Sequence, residues 1–130
     1  MVIDSSAIAS ALFDEPEAGI VLDALATTER KLMSALAKLE ISIAVEARKG
    51  EAGAAALARL LSEAGVEVVA FDAGQAEIAL DAWRRYGKGR HEANLNLGDC
   101  ASYALAKLAN EALLYKGGDF AKTDVAPALE

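Results

Sequence analysis

Apolar residues recur along the chain in two rhythms. Val2-Ile3, the segment Lys31 to Ser34, VEVVAF (66–71) and ALLY (112–115) are short and continuous, as buried strands are. Between them, apolar positions return at helical spacing. Asp4-Ser5-Ser6 ends the first run and opens a helix, with Asp4 as a cap for free backbone amides. FDEPEAGIVLDALATTE predicts a second helix, with Pro16 at its start and Ile20, Val21, Ala24 and Leu25 on its apolar side. Leu36, Leu39, Ile43 and Ala47 form the next stripe, which ends near Gly50 and has Glu40 inside it. Leu57, Leu60 and Leu61 mark a further helix that stops at Gly65. Asp72 with Gln75 resembles a capping box for a helix running through Trp83 to Gly87. After the polar loop KGRHEANLN, Asn96 caps a helix whose apolar face is Leu97, Ala101, Ala104, Leu105 and Leu108. The turn KGGDF follows the last strand.

Strands alternating with helices predict an α/β domain with a mostly parallel central sheet flanked by helices, because parallel neighbours need crossover connections. A single domain over residues 1–130 accounts for the whole length. In such sheets ligands bind beyond the carboxyl ends of the strands. Asp4 and Asp119 both follow strands and reach that edge, while Glu40 and Asp99 arrive on helices.

Composition narrows the picture. The hydrophobic share of 54% with only two prolines implies a substantial core and little disorder. Cys100 is the only cysteine, so neither an intramolecular disulfide nor a cysteine zinc site can form, and a small buried thiol in a reducing compartment is expected. With no basic leader and no apolar run of membrane-spanning length, the expected location is the cytoplasm. The net charge of −7 argues against a general nucleic-acid coat but not against a local site.

Each acid has a structural explanation when taken singly. Asp4 caps a helix, Glu40 forms a salt bridge, Asp99 complements a helix dipole and Asp119 belongs to a turn. Gathered together they behave differently, since at ~4 Å and an effective dielectric near 20 a like-charged pair costs on the order of 4 kcal/mol. Such a cluster must take up protons or bind cations. Oxygen ligands, without a cysteine set and with one histidine, suit Mg²⁺ or Mn²⁺ better than zinc or copper. That chemistry serves phosphodiester cleavage by an activated water. His91 lacks the companions of a hydrolase triad, and no serine stands in a nucleophile-elbow motif.

The strings MVIDSSA, LMSALAKLE, GKGRHEANLNLGDCASYALAK and LLYKGGDF, in this order over nearly the whole chain, resemble a PIN-domain ribonuclease of the VapC toxin type. The resemblance implies a metal-dependent endoribonuclease, leaving a 3′ hydroxyl and a 5′ phosphate, that acts as the toxin of a type II toxin-antitoxin system. It matches Asp4, Glu40, Asp99 and Asp119 to the family's catalytic, metal-centred acids. The family pattern often has an Asp or Asn before the last acid. Gly118 stands there in this chain, which leaves Asp124 as a reserve fourth ligand. Ser6 matches a small hydroxyl residue near the first acid and is expected to orient an acid or water. The implied protein partners are a VapB-type antitoxin, bound on apolar faces around Ile20, Leu57 and Leu61, and a second copy of the chain within a higher toxin-antitoxin assembly.

Arg84, Arg85, Lys88, Arg90 and His91 cluster beside the Asp99 helix. Arg85, Lys88 and Arg90 are the candidate contacts for RNA phosphates, with a solvated charged loop as the plain alternative. Trp83 and Tyr86 suit a packed face better than a base-stacking platform. The alternative function is a noncatalytic PIN-like module acting with an antitoxin in a DNA-binding repressor complex. A phosphoacceptor receiver domain also places acids at strand ends, but it needs an acidic pair at the first strand that this chain lacks.

Overall fold

The computed structural model describes residues 1–129. Four strands, β1 (Val2–Ile3), β2 (Lys31–Ser34), β3 (Val66–Val69) and β4 (Leu113–Leu114), form one sheet in the order β3-β2-β1-β4 with every pairing parallel. Successive side chains of a strand face opposite ways, and this alternation divides the core in two. Ile3, Met33 and Leu114 pack against α1 (Ser5–Leu12), α2 (Ala18–Leu25) and α3 (Ala35–Glu63). Val2, Leu32 and Leu113 pack on the other side, against α4 (Ala73–Tyr86) and α5 (Leu97–Ala109). The result is the expected α/β sandwich around a parallel sheet. No helix among the described residues is long and apolar enough to cross a membrane.

The chain builds outward from β1 to β2 and β3, then returns through α4 and α5 to place β4 on the other side of β1. The strand order therefore switches direction beside β1. A crevice at the carboxyl ends of the strands opens at such a switch point. Asp4 is the first residue after β1, and the segment from Tyr115 to Asp119 is the first after β4.

Two helical stripes differ from expectation. Before Gly50 the buried positions of α3 are Ala37, Ile41 and Val45, whereas Leu39 and Ile43 are more than half exposed. Both faces of this helix carry apolar residues, and close approach to the sheet and α1 selects the face with the smaller side chain, Ala37. Glu40 consequently lies on the open side. In α5 the run Cys100 to Ala106 is buried on all sides, while Leu97, at 77% exposure, and Leu108 project from its ends. The two helices expected around Gly50 are present as the two arms of α3, which meet at Gly50 with non-helical angles of φ 59° and ψ −149°. Leu57 and Leu61 belong to the core and not to a free partner face, unlike the exposed Ile20.

Candidate active site

Asp4 has a dual local role. As the N-cap of α1 its Oδ2 accepts the Ser6 amide at 3.0 Å, which confirms the helix-start reading. The same oxygen accepts the Ser6 hydroxyl at 2.6 Å, and Oδ1 accepts the Ser102 hydroxyl at 2.6 Å. Asp4 is buried, at 1% exposure. Ser6 Oγ in turn accepts the backbone amide of Lys116 at 3.0 Å, tying the end of β1 to the end of β4. Ser6 thus takes part in the helix start through its amide and orients the Asp4 carboxylate through its hydroxyl.

Glu40 projects from the first half of α3, where Ser5 Oγ donates to its Oε1 at 2.5 Å. Its carboxylate lies over Gly98. A Cβ added there would stand 2.6 Å from both Glu40 oxygens, so a larger residue at this position would push the Glu40 carboxylate aside. Asp99 closes a reciprocal capping box: its amide donates to Asn96 Oδ1 at 2.9 Å, and its Oδ2 accepts the Asn96 amide at 3.0 Å. Burial pushes the Asp99 carboxyl up to about 6 from the ordinary 3.8; the Asn96 amide opposes this, and the charges of Asp4, Glu40 and Asp119 reinforce it. Asp119 stands exposed on the turn before the 3₁₀ segment Phe120–Lys122, without a capping bond from its side chain.

The fold thus brings the four sequence-predicted acids into one electrostatic neighbourhood. Among the described residues none of the four joins an ion pair. Nor do three His, Cys, Asp or Glu side chains among the described residues stand close enough together to hold a metal ion. The expected salt bridge of Glu40 is replaced by Ser5. An all-oxygen set of carboxylates with no neutralising side chain, one of them raised by burial and then by its neighbours, suits a hard divalent cation in the chemistry of its donors. The Gly98 cradle keeps Glu40 within that set.

Asp124 lies elsewhere. Tyr103 donates to its Oδ1 at 2.5 Å, Lys107 donates to its Oδ2 at 3.2 Å, and Arg85 lies 3.5 Å away. Burial would raise the Asp124 carboxyl, but the bonds from Tyr103 and Lys107 and the charges of Lys107 and Arg85 hold it at about 2, below the ordinary 3.8. This network fastens the C-terminal segment to α4 and α5. Cys100 is a buried free thiol, pushed up to about 11 by burial and then by Asp99.

Arg85 is drawn into the same network, also contacting Asp81 at 3.9 Å and donating to the Tyr86 hydroxyl at 2.9 Å. Arg90 lies over the Trp83 ring at 4.7 Å and donates to the Arg84 carbonyl at 3.3 Å. Lys88 lines an apolar cleft of about 500 Å³ with Leu80, Trp83, Asn96 and Leu97, next to the start of α5. Sequence reasoning missed Ser5, Gly98 and Ser102. Ser102 follows Asp99 by three positions on α5, and that same-face spacing was the available signal.

A fold and a site of this kind define a class, and comparison with known proteins identifies it. The chain belongs to the PIN-domain family, whose model matches residues 1–126. It is 51% identical over 126 residues to a protein named Ribonuclease VapC from Mycolicibacterium smegmatis, covering 97% of this chain and 98% of that protein. The structure of Mycobacterium tuberculosis VapC20, described as a sarcin-ricin loop cleaving toxin, superposes with a TM-score of 0.78 at 20% identity, covering 96% of this chain and 95% of that one. A toxin-antitoxin complex from Klebsiella pneumoniae superposes with a TM-score of 0.69 at 17% identity, over 95% and 92% of the two chains.

Proposed function

We propose that this protein is the RNA-cleaving toxin of a type II toxin-antitoxin pair, an endoribonuclease that uses Mg²⁺ or Mn²⁺. The observation that carries the reading is the convergence of four acids, unpaired with any cation among the described residues, at the switch point of a parallel sheet. The 51% identity to a protein named Ribonuclease VapC supports RNA as the substrate. Asp4, Glu40, Asp99 and Asp119 would hold the cation. When bound, a divalent ion supplies the Lewis acidity that phosphodiester hydrolysis needs.

The chain's own groups divide the remaining work. Asp4 is the fixed ligand, since its donors lock the carboxylate in place. Glu40 is held by Ser5 and faces the open side, where it can orient a water and accept its proton. Asp99 carries a proton more readily than an ordinary carboxyl and gives it up when positive charge enters the site. Asp119 completes the set from the β4 side, whereas Asp124 is occupied by Tyr103, Lys107 and Arg85. Lys88, which shares a cleft with Asn96 and Leu97 at the start of α5, and Arg90 in the same loop are the phosphate contacts of this reading, with Arg85 held by Asp81 and Asp124.

The likeness to a toxin-antitoxin complex supports an antitoxin partner. Exposed Ile20 and Leu22 on α2 offer it apolar contacts, and the rim formed by Leu39, Ile43 and Leu97 offers a face for a second copy of the chain. A cytoplasmic location accords with the reduced Cys100 and with the substrate.

The test uses purified protein, a defined RNA and added Mg²⁺ or Mn²⁺. Asp4→Asn preserves a good helix cap but removes the charge. It should stay folded by thermal melting and lose cleavage by about 100-fold or more, as should Glu40→Gln and Asp99→Asn, with a smaller loss for Asp119→Asn. Parent-like cleavage by Asp4→Asn, or undiminished cleavage by the parent after chelation, rejects the reading.

A further inference from the structure

Asp4 is gripped from two sides of the fold. Its Oδ2 accepts two hydrogen bonds from Ser6, the amide at 3.0 Å and the hydroxyl at 2.6 Å. Each carboxylate oxygen offers about two acceptor sites, so Oδ2 is filled by these donors alone. Oδ1 accepts one bond, from Ser102 Oγ at 2.6 Å, and keeps the other site open. Ser102 comes from the middle of α5, far along the chain from Asp4, and is itself fully buried. A serine in a helix interior commonly returns its hydroxyl to the carbonyl four residues earlier. Here it is given across elements to the one buried acid of the site. The same helix carries Asp99 one turn earlier, so α5 supplies both an acid and the donor that orients a second one.

We propose that Ser102 is a positioning residue for divalent-cation binding: its hydroxyl fixes the carboxylate plane of Asp4 and leaves Oδ1 as the oxygen available to the ion. The inference rests on the reading of Asp4 as a metal ligand. Hydrogen bonds from outside the ligand set orient ligands and tune their basicity, and their removal weakens metal affinity by about 10- to 100-fold. Without Ser102, the Asp4 carboxylate can turn about the Ser6 contacts, and the buried Oδ1 loses its only protein donor.

The experiment measures Mn²⁺ binding to the metal-free, full-length protein by calorimetry or by electron paramagnetic resonance, with no RNA present. Ser102→Ala should raise the Mn²⁺ Kd about 10-fold or more while remaining folded at the measurement temperature. Ser102→Thr, which restores the hydroxyl, should return the Kd to within about 3-fold of the parent if the donor is what matters. If Ser102→Ala fails to fold, Ser102→Cys keeps the volume with a weaker donor and is expected to weaken binding in its place. Asp4→Asn separates the two layers of the argument. Normal Mn²⁺ binding by Ser102→Ala, or by Ser102→Cys in its place, alongside a large loss in Asp4→Asn, overturns the role of Ser102 alone. Absence of Mn²⁺ binding by the parent, or parent-like binding by Asp4→Asn, overturns the metal reading and with it the inference.

Discussion

The Asp99 carboxylate closes the capping box of α5 while lying among three other acids, and the two demands pull its proton affinity in opposite directions. Burial and the neighbouring charges win, so its folded-state value of about 6 lies above the ordinary 3.8. The folded protein therefore binds this proton more tightly than the unfolded chain. The resulting stabilisation is complete below the ordinary carboxylate range and is lost as pH rises through about 6. Asp99→Asn keeps an acceptor oxygen for the Asn96 amide and cannot ionise. In chelator, the melting temperature of Asp99→Asn relative to the parent should accordingly rise between pH 4 and pH 7, roughly the window of this titration. A difference that stays constant across that range contradicts a raised Asp99 carboxyl. At this scale the sequence showed the four acids because their types announce their chemistry. Ser5, Gly98 and Ser102 were hidden because their roles exist only once α1, α3 and α5 meet.

Strands were legible at the level of elements because short β-branched and leucine runs between helical patterns leave few other readings. Helix phase was less so. Helical spacing pointed to Leu36, Leu39, Ile43 and Ala47 as the core stripe of α3, whereas the sheet admits the Ala37, Ile41 and Val45 face. The break at Gly50 was readable as a helix end, and the backbone does leave the helix there. Its dihedral angles, φ 59° and ψ −149°, fall in a region open essentially to glycine. No atom lies within 4 Å of an added Cβ there, so Gly50→Ala should act through backbone strain alone and cost about 1–3 kcal/mol in urea unfolding. Gly19, in α2, also has open space around its Cβ position but no positive φ. Gly19→Ala should stabilise by about 0.5–1 kcal/mol, since glycine is a poor helix former. Equal effects at the two positions would mean that the kink imposes no strain. Tyr103→Phe removes the hydroxyl that donates to the Asp124 carboxylate and accepts from Arg85, leaving Lys107 and Arg85 on Asp124, and should cost about 1.5–3 kcal/mol by the same measurement.

Across the whole molecule, a net charge of −7 has to coexist with a polyanionic substrate. Asp4, Glu40, Asp99 and Asp119 stand together beyond the strand ends, where on the proposed reading a cation would reverse the local sign, and the loop after α4 carries Lys88 and Arg90. The composition pointed to this loop, but the individual roles of its cations depend on packing. Arg85 is committed to Asp81 and Asp124, so Arg85→Ala should lower stability with little change in RNA binding. Lys88 joins no ion pair among the described residues, and the Arg90 guanidinium rests on Trp83 near the surface. Each phosphate neutralised contributes a little under one unit to the slope of log K against log salt. Replacing Lys88 and Arg90 together by alanine should therefore reduce the slope by about one to two units, measured with a cleavage-inactive Asp4→Asn background and a fixed divalent concentration. The asymmetry between the two variants is what tests the arrangement. If Arg85→Ala flattens the slope and the double variant leaves it unchanged, the phosphate path runs along the Tyr103–Asp124 side of α4 instead of past the cleft at Leu97.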